Sequence, residues 1–339
     1  MVTIPVPRVT QVANGIFSIG PLATSSQSSA NAPFLVVGER CAVVEPGERG
    51  QALEFLEGVK YLGIDPQRID YHIPTHIHTH HCTSINVFVK EIPHIKMVVH
   101  PRAERHVIDP TKLNQQTTEI WTQGVCSYLD PVPAQNVMAV EDGTVIDLGG
   151  RELEIIHAQG HAPHHLAIFD RLTKALWPGD CCSFNEGTKW GHGAIAPPML
   201  GVDEFVDGLH RMRAFKPRML LGWQWLIGFY PADIYLAKVE ENLLAEETLV
   251  YECMKQKMPS WEIAEKVRQL SESRGTAGDF EERTRDVLTG AERPRGPVAL
   301  YRALIKKHPE LEMPEMPPEP EVRGGPQIRQ SREEEFDSR

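Results

Sequence analysis

Thr75-His76-Ile77-His78-Thr79-His80-His81 places four imidazoles within six positions. Four histidines this close repel one another when protonated, and side-chain packing gives no reason to gather them. A divalent cation removes both difficulties, because it requires neutral imidazole and attracts its lone pairs. The run is internal, so it is no terminal affinity tag. It follows Ile69-Asp70-Tyr71-His72-Ile73-Pro74, a mostly apolar segment that reads as a strand, which sets it apart from a solvated histidine-rich loop.

Further along, Leu153-Glu154-Ile155-Ile156-His157 reads as a strand running into Ala158-Gln159-Gly160-His161-Ala162-Pro163-His164-His165. Leu166-Ala167-Ile168-Phe169 is a second short strand, Asp170-Arg171 a turn, and Ala175-Leu176-Trp177 leads into Pro178-Gly179-Asp180. Three turns with candidate ligands thus follow three apolar strands. A rigid sheet delivers distant side chains to one rim in this way.

His76-x-His78-x-His80-His81, Gly160-His161 and Gly179-Asp180 occur in the order of the ligand motifs of the metallo-beta-lactamase superfamily, and the chain resembles that family. The resemblance extends to Val12–Ile19 as an opening strand, to a hairpin of Phe34–Gly38 and Cys41–Gly47, and to a hairpin at Asp142–Gly150. It covers roughly residues 10–230. It implies an α/β fold, a four-layer αββα sandwich, with a C-terminal helical appendage. By the same resemblance His76, His78 and His161 hold a first metal, Asp180 bridges to a second, and His80 and His81 are the second ion's remaining ligands.

Two departures stand out. The family's aspartate in His-x-His-x-Asp-His is His80 here, which makes the site less anionic. Trp223, in Leu220-Leu221-Gly222-Trp223, stands where the family's last histidine would be, and indole has no lone pair for a metal. Adjacent residues of an extended segment point to opposite sides, so His80 and His81 need a kink to reach one ion. His165, His192, Glu186 and Cys181 are the candidate replacements for the missing ligand. His165 reads first as a hydrogen-bond partner behind the ligands, and otherwise as a substrate contact. His192, in the loop Trp190-Gly191-His192-Gly193, and Trp223 are candidate substrate contacts. Cys181 and Cys182 read as buried apolar fillers before they read as thiolates.

A chain of 339 residues accommodates one large domain and an appendage. The reading divides it into a catalytic domain at 1–230, a helical module at 231–308 and a disordered or extended tail at 309–339. Within the module Leu236, Val239, Leu243 and Leu244 share a helical face, Ser260 is a candidate N-cap, and Val298 to Ile305 forms a further helix. Such a module is expected to pack beside the active site or to mediate a homodimer, rather than to bind DNA. A formal net charge of −11 argues against general affinity for nucleic acid or anionic membranes. The six cysteines include no CxxC pair, no stretch has the length of a membrane span, and the N-terminus lacks a signal peptide's apolar core; a cytoplasmic protein is expected.

The expected function is metal-dependent hydrolysis of a small molecule, an ester, thioester, lactone or related bond. The implied cofactor is zinc, one ion or two, with iron or manganese as alternatives. Three imidazoles and an open position suit a metal that lowers the pKa of water. Asp180 would position the metal and its water, with His80 or His165 as candidate general acids. Arg102, Arg105, His106, Trp121 and Tyr128 lie in a region expected to wall the pocket. One alternative is diiron chemistry with oxygen or nitric oxide, although relatives of that type carry a glutamate where His78 stands. The other is a family member that has lost catalysis.

Overall fold

Phe34-Leu35-Val36-Val37 and Cys41-Ala42-Val43-Val44 are apolar at every position because both faces of their strands are covered. Phe34 and Val36 turn into a core shared with a second sheet, while Leu35 between them turns outward beneath helices. The same period of two recurs in the other sheet: Ile155 and Ile168 face inward, and Ile156, Ala167 and Phe169 face outward. The structure, a computed structural model, describes residues 8–20, 33–120, 128–182, 201–222, 227–229, 231–275 and 295–316.

The first sheet runs in chain order: β1 (Val9–Ala13), β2 (Ile16–Ile19), β3 (Phe34–Val37), β4 (Cys41–Val44), β5 (Ile69–Ile73), β6 (Lys96–Val99) and β7 (Val137–Ala139). Pairing is antiparallel from β1 to β4 and parallel from β4 to β7. The second sheet comprises β8 (Val145–Asp147), β9 (Glu152–His157), β10 (Leu166–Asp170), β11 (Ala175–Trp177), β12 (Met219–Leu221) and β13 (Ile227–Phe229), again neighbours in sequence order. Only β11 and β12 pair in parallel within it, among the described residues.

Among the described residues, five helices bury their apolar faces on the first sheet: α1 (Arg49–Tyr61), α2 (Thr79–Cys82), α3 (Ile85–Glu91), α4 (Pro101–Ile108) and α5 (Thr111–Ile120). On the second lie α6 (Val202–Ala214), α7 (Ala232–Lys255), α8 (Ser260–Arg274) and α9 (Arg295–Lys307). The order of layers is helix, sheet, sheet, helix, as the four-layer expectation requires. Helices α7 to α9 share one apolar cluster with α6 and the outer face of β9 to β12, so they complete the outer layer. Leu311 joins that cluster, and the Ser260 N–H donates to the Glu315 carbonyl at 2.9 Å, so the start of the tail lies against the body. Residues 317–339 fall outside the described residues. No described helix is long and apolar enough to cross a membrane.

Three local expectations are corrected. Val12–Ile19 is not one strand: Asn14-Gly15 turns the chain, and β1 and β2 pair as a hairpin. Gly15 has φ +63°, and a Cβ there would stand 2.5 Å from Nη1 of Arg151. Ser260 is the first residue of α8 rather than its cap, Pro259 taking the cap position, and the Ser260 hydroxyl is buried without a partner. Leu244 is 39% exposed, unlike Leu236, Val239 and Leu243, because the buried stripe of α7 continues instead through Val250 and Cys253.

The two sheets are tied by the buried Arg151, whose ion pair lies within the second sheet and whose carbonyl bonds reach the first. Arg151 donates to both carboxylate oxygens of Asp170, at 3.0 and 2.8 Å, and also to the carbonyls of Asn14 and Val37. Their side chains are 3% and 0% exposed. Asp170→Ala would strand the guanidinium in the interior. We expect a stability loss of about 3–5 kcal/mol in urea unfolding; a loss of about 1 kcal/mol or less, the value of a surface pair, would contradict this account.

Candidate metal centre

Val44 and Ile73 are register partners in the parallel pair β4–β5, so the residues that follow them emerge together at one rim. Glu45 is the first beyond β4. It is fully buried, with φ +51° and its N–H donating to the Ile73 carbonyl at 3.1 Å. A non-glycine residue held there costs about 1–2 kcal/mol, and it persists because the carboxylate is bonded at both oxygens. One accepts the Thr75 N–H at 2.7 Å, and the other accepts Nδ1–H of His81 at 2.7 Å. Glu45 thereby folds the histidine run back on itself.

The run is not extended beyond His78. Residues 79–82 form the single turn α2, anchored by Ile77 and Cys82, which bury into the first sheet's outer core. A helical turn advances side chains by about 100° per residue instead of 180°. His80 and His81 therefore share a side, and their ligand atoms lie with that of Asp180 within 4.8 Å of one another. The kink that a shared ion demands is supplied by this turn.

His76, His78, His161 and Asp180 form the second such group, with all ligand atoms again within 4.8 Å. Nδ1 of His78 lies 2.8 Å from Nε2 of His76 and 3.1 Å from Nε2 of His161. Oδ2 of Asp180 lies 3.3 Å from Nε2 of His161 and 3.8 Å from Nε2 of His76, while Oδ1 faces Nε2 of His81 at 3.5 Å. Nitrogens bound to a tetrahedral zinc at about 2.0–2.1 Å stand about 3.3 Å apart, a separation that these distances bracket. The donor set also fits, since neutral imidazole and carboxylate suit zinc, iron and other borderline divalent ions. Asp180 belongs to both groups and offers one oxygen to each.

The electrostatics favour ligation. Burial, reinforced by the neighbouring imidazoles, holds His76 and His78 well below the ordinary histidine pKa, so both lone pairs are available. Burial opposes the charge on Asp180 too, yet His81 and His161 hold its carboxyl well below the usual range. His81 differs from His76 and His78. Burial pulls it down, but the Asp180 and Glu45 carboxylates raise it to about 9, so without a cation it carries the charge that balances them.

Supporting residues lock these positions. The Thr75 hydroxyl stands 3.1 Å from Nδ1 of His76, leaving Nε2 for the cluster. His165 is fully buried; its Nε2 accepts the Asp180 N–H at 3.2 Å and its Nδ1 faces the Cys181 thiol at 3.6 Å. It therefore braces the Asp180 turn from behind, and neither nitrogen faces the substrate side as a substrate-contact role would require. Burial pushes the Cys181 thiol up to about 12, it donates to the Ala158 carbonyl, and it belongs to neither ligand group. At Gly160, φ is +149° and a Cβ would stand 2.6 Å from Cα of Phe205, so this turn passes α6 too closely for any side chain.

His192, Glu186, Trp223 and Trp121 lie outside the described residues. Arg102 and Arg105 are exposed on α4, and Tyr128 is 45% exposed. Glu45 and Thr75 went unread as site residues in the sequence. The available signal was an acidic residue directly after the all-apolar β4, ahead of Pro46-Gly47.

The profile of the metallo-beta-lactamase superfamily matches residues 27–218, more than half of the chain. An uncharacterized protein of Aquifex aeolicus is 25% identical over 177 residues, covering 52% of this chain and 73% of its own. A hydroxyacylglutathione hydrolase of Aeromonas salmonicida is 24% identical over 152 residues, covering 44% of this chain and 47% of that protein, so the match spans about half of that relative. Among solved structures, a metallo-beta-lactamase family protein from Thermus thermophilus superposes with a TM-score of 0.57 at 15% identity, over 85% of this chain and 98% of that one. An archaeal superfamily protein from Sulfolobus tokodaii gives 0.52 at 19% identity, over 63% and 80%. By this profile match, and in keeping with the sandwich and the order of its rim turns, the chain belongs to the metallo-beta-lactamase superfamily.

Proposed function

We propose that the protein is a metal-dependent hydrolase of a small ester, thioester or lactone. The observation that carries this is the sharing of Asp180 between two imidazole sets at one rim. His76, His78 and His161 would hold one divalent ion, and His80 and His81 a second, with zinc the ion that best suits the donors. An ion bound there supplies Lewis acidity and brings the pKa of water towards neutrality. The chain's own residues do the rest. Glu45 and Thr75 fix which nitrogen of His81 and His76 faces the cluster. Asp180 orients both sets, and burial of His76 and His161 keeps bulk water from one side of the site. The similarity to hydroxyacylglutathione hydrolases supports a thioester as the first substrate to try. We further propose a reducing, cytoplasmic setting, motivated by five described cysteines that are all buried and unpaired.

Incubation with a strong chelator should abolish hydrolysis of a hydroxyacylglutathione thioester or a lactone, and zinc should restore it. Activity that survives verified metal removal would refute the hydrolase mechanism. Asp180→Ala should lose the second ion and most of the turnover, measured by elemental analysis beside a rate assay. Glu45→Ala should weaken metal affinity by about 10–100-fold, the usual cost of removing a carboxylate behind a ligating histidine; unchanged affinity in a chelator competition would show that His81 needs no such support.

A further inference from the structure

His72 is a fully buried imidazole that belongs to neither ligand group. It stands on β5, one turn of the chain before His76. Its register partners are Val43 of β4 and Met97 of β6, and Phe88 of α3 meets its ring edge-on, with centroids 5.5 Å apart at 68°. Val43, Phe88 and Met97 are all fully buried in the apolar layer between the first sheet and its helices. A polar ring in such a layer is costly unless it is bonded, and a hydrocarbon side chain would fill the space without that cost. Burial pushes its pKa down to about 3, so at neutral pH the ring is uncharged.

The bond it makes is to Ser84. Nε2 of His72 lies 2.9 Å from Oγ of Ser84, which is also fully buried. A hydroxyl both donates and accepts, so the bond forms with the ring proton on either nitrogen. Ser84 is the hinge between two helices: α2 ends at Cys82, and Ser84 is the cap residue of α3. The Ser84 N–H donates to the Gly47 carbonyl at 3.2 Å, and the Gly47 N–H donates to the His81 carbonyl at 3.2 Å. The Thr83 hydroxyl accepts the Arg49 N–H at 3.3 Å. The loop after β4 therefore grips the backbone at His81 and Ser84 from one side, while His72 grips the Ser84 side chain from the strand beneath.

The two ligand groups depend on this junction unequally. His80 and His81 lie inside the α2 turn. His76 and His78 precede it, His161 comes from the other sheet, and the Thr75 hydroxyl already braces His76. We propose that the His72–Ser84 hydrogen bond holds the α2 turn so that His80 and His81 keep their place for a second divalent ion, which makes His72 and Ser84 positioning residues for that half of the site. This rests on the two-ion reading of the site and not on the reaction proposed for it.

Zinc affinity at both sites would be measured by chelator competition, with urea unfolding of the metal-free protein alongside. The wild type should bind two ions per chain. The double variant H72L/S84A replaces both bonding partners by apolar groups, so its stability should stay near that of the wild type. Its affinity for the second ion should nevertheless fall about tenfold, the low end of the cost of removing support behind a ligand, with the first ion unaffected. S84A alone should show the same selective fall together with lower stability, because it leaves the imidazole unbonded, and it carries the test if the double variant does not fold. H72Q, whose amide reaches the hydroxyl as Nε2 does, should keep most of the second ion's affinity. Wild-type affinity for both ions in H72L/S84A or S84A would overturn the proposal and leave the pair a packing feature. So would an equal loss at both ions. A wild type that takes up a single ion would overturn the two-ion reading and this proposal with it, a result distinct from two tightly bound ions that ignore the substitutions.

Discussion

The Asp180 carboxylate, placed between two sets of imidazoles, is the constraint on which the rest of the site depends. Its two oxygens face Nε2 of His161 at 3.3 Å and Nε2 of His81 at 3.5 Å. These histidines come from opposite sheets, so the carboxylate can meet both only if the rims of the sandwich are held in fixed register. Arg151, paired with Asp170 in the second sheet and bonded to the Asn14 and Val37 carbonyls of the first, and the close pass of Gly160 over Phe205 supply that rigidity. A site that relied on flexible loops would spend binding energy on ordering them. Here the first sheet delivers His76 to His81, and the second delivers His161 and Asp180.

Replacing the family's aspartate by His80 changes the charge of the site and leaves its geometry workable. Among the ligand groups of the described residues, Asp180 is the single carboxylate beside five imidazoles. Glu45 adds a second negative charge directly behind His81, at 2.7 Å. Part of the negative charge lost at position 80 is thus recovered one layer back, through a histidine. That arrangement raises the basicity of His81 as a ligand and explains why Glu45 is kept in an unfavourable backbone conformation.

Much of this was legible in the chain itself. The strand boundaries around β5, β9 and β11 followed from apolar runs leading to glycine or proline, that of β10 from the turn at Asp170-Arg171, and the order of the candidate ligands from the resemblance of three motifs in those turns. What resisted reading was set by tertiary contact. Nothing in Thr79-His80-His81-Cys82 announces a helical turn, because it forms where Ile77 and Cys82 find the core. Glu45 lies 36 residues from His81 in the chain, and only the parallel register of β4 and β5 brings them together. His165 and His164 are neighbours in sequence with opposite surroundings, one sealed behind Asp180 and one at the opening, a distinction that burial alone decides.

The central claim is that these side chains converge on a cation. Anomalous diffraction at the zinc absorption edge, from crystals grown with zinc, tests it most directly. The account predicts a strong peak bounded by Nε2 of His76, Nδ1 of His78 and Nε2 of His161, with Asp180 contacting it and a second peak beside His80 and His81. Zinc bound elsewhere with this cluster empty, or imidazoles at 76, 78 and 161 turned away from one another, would contradict it.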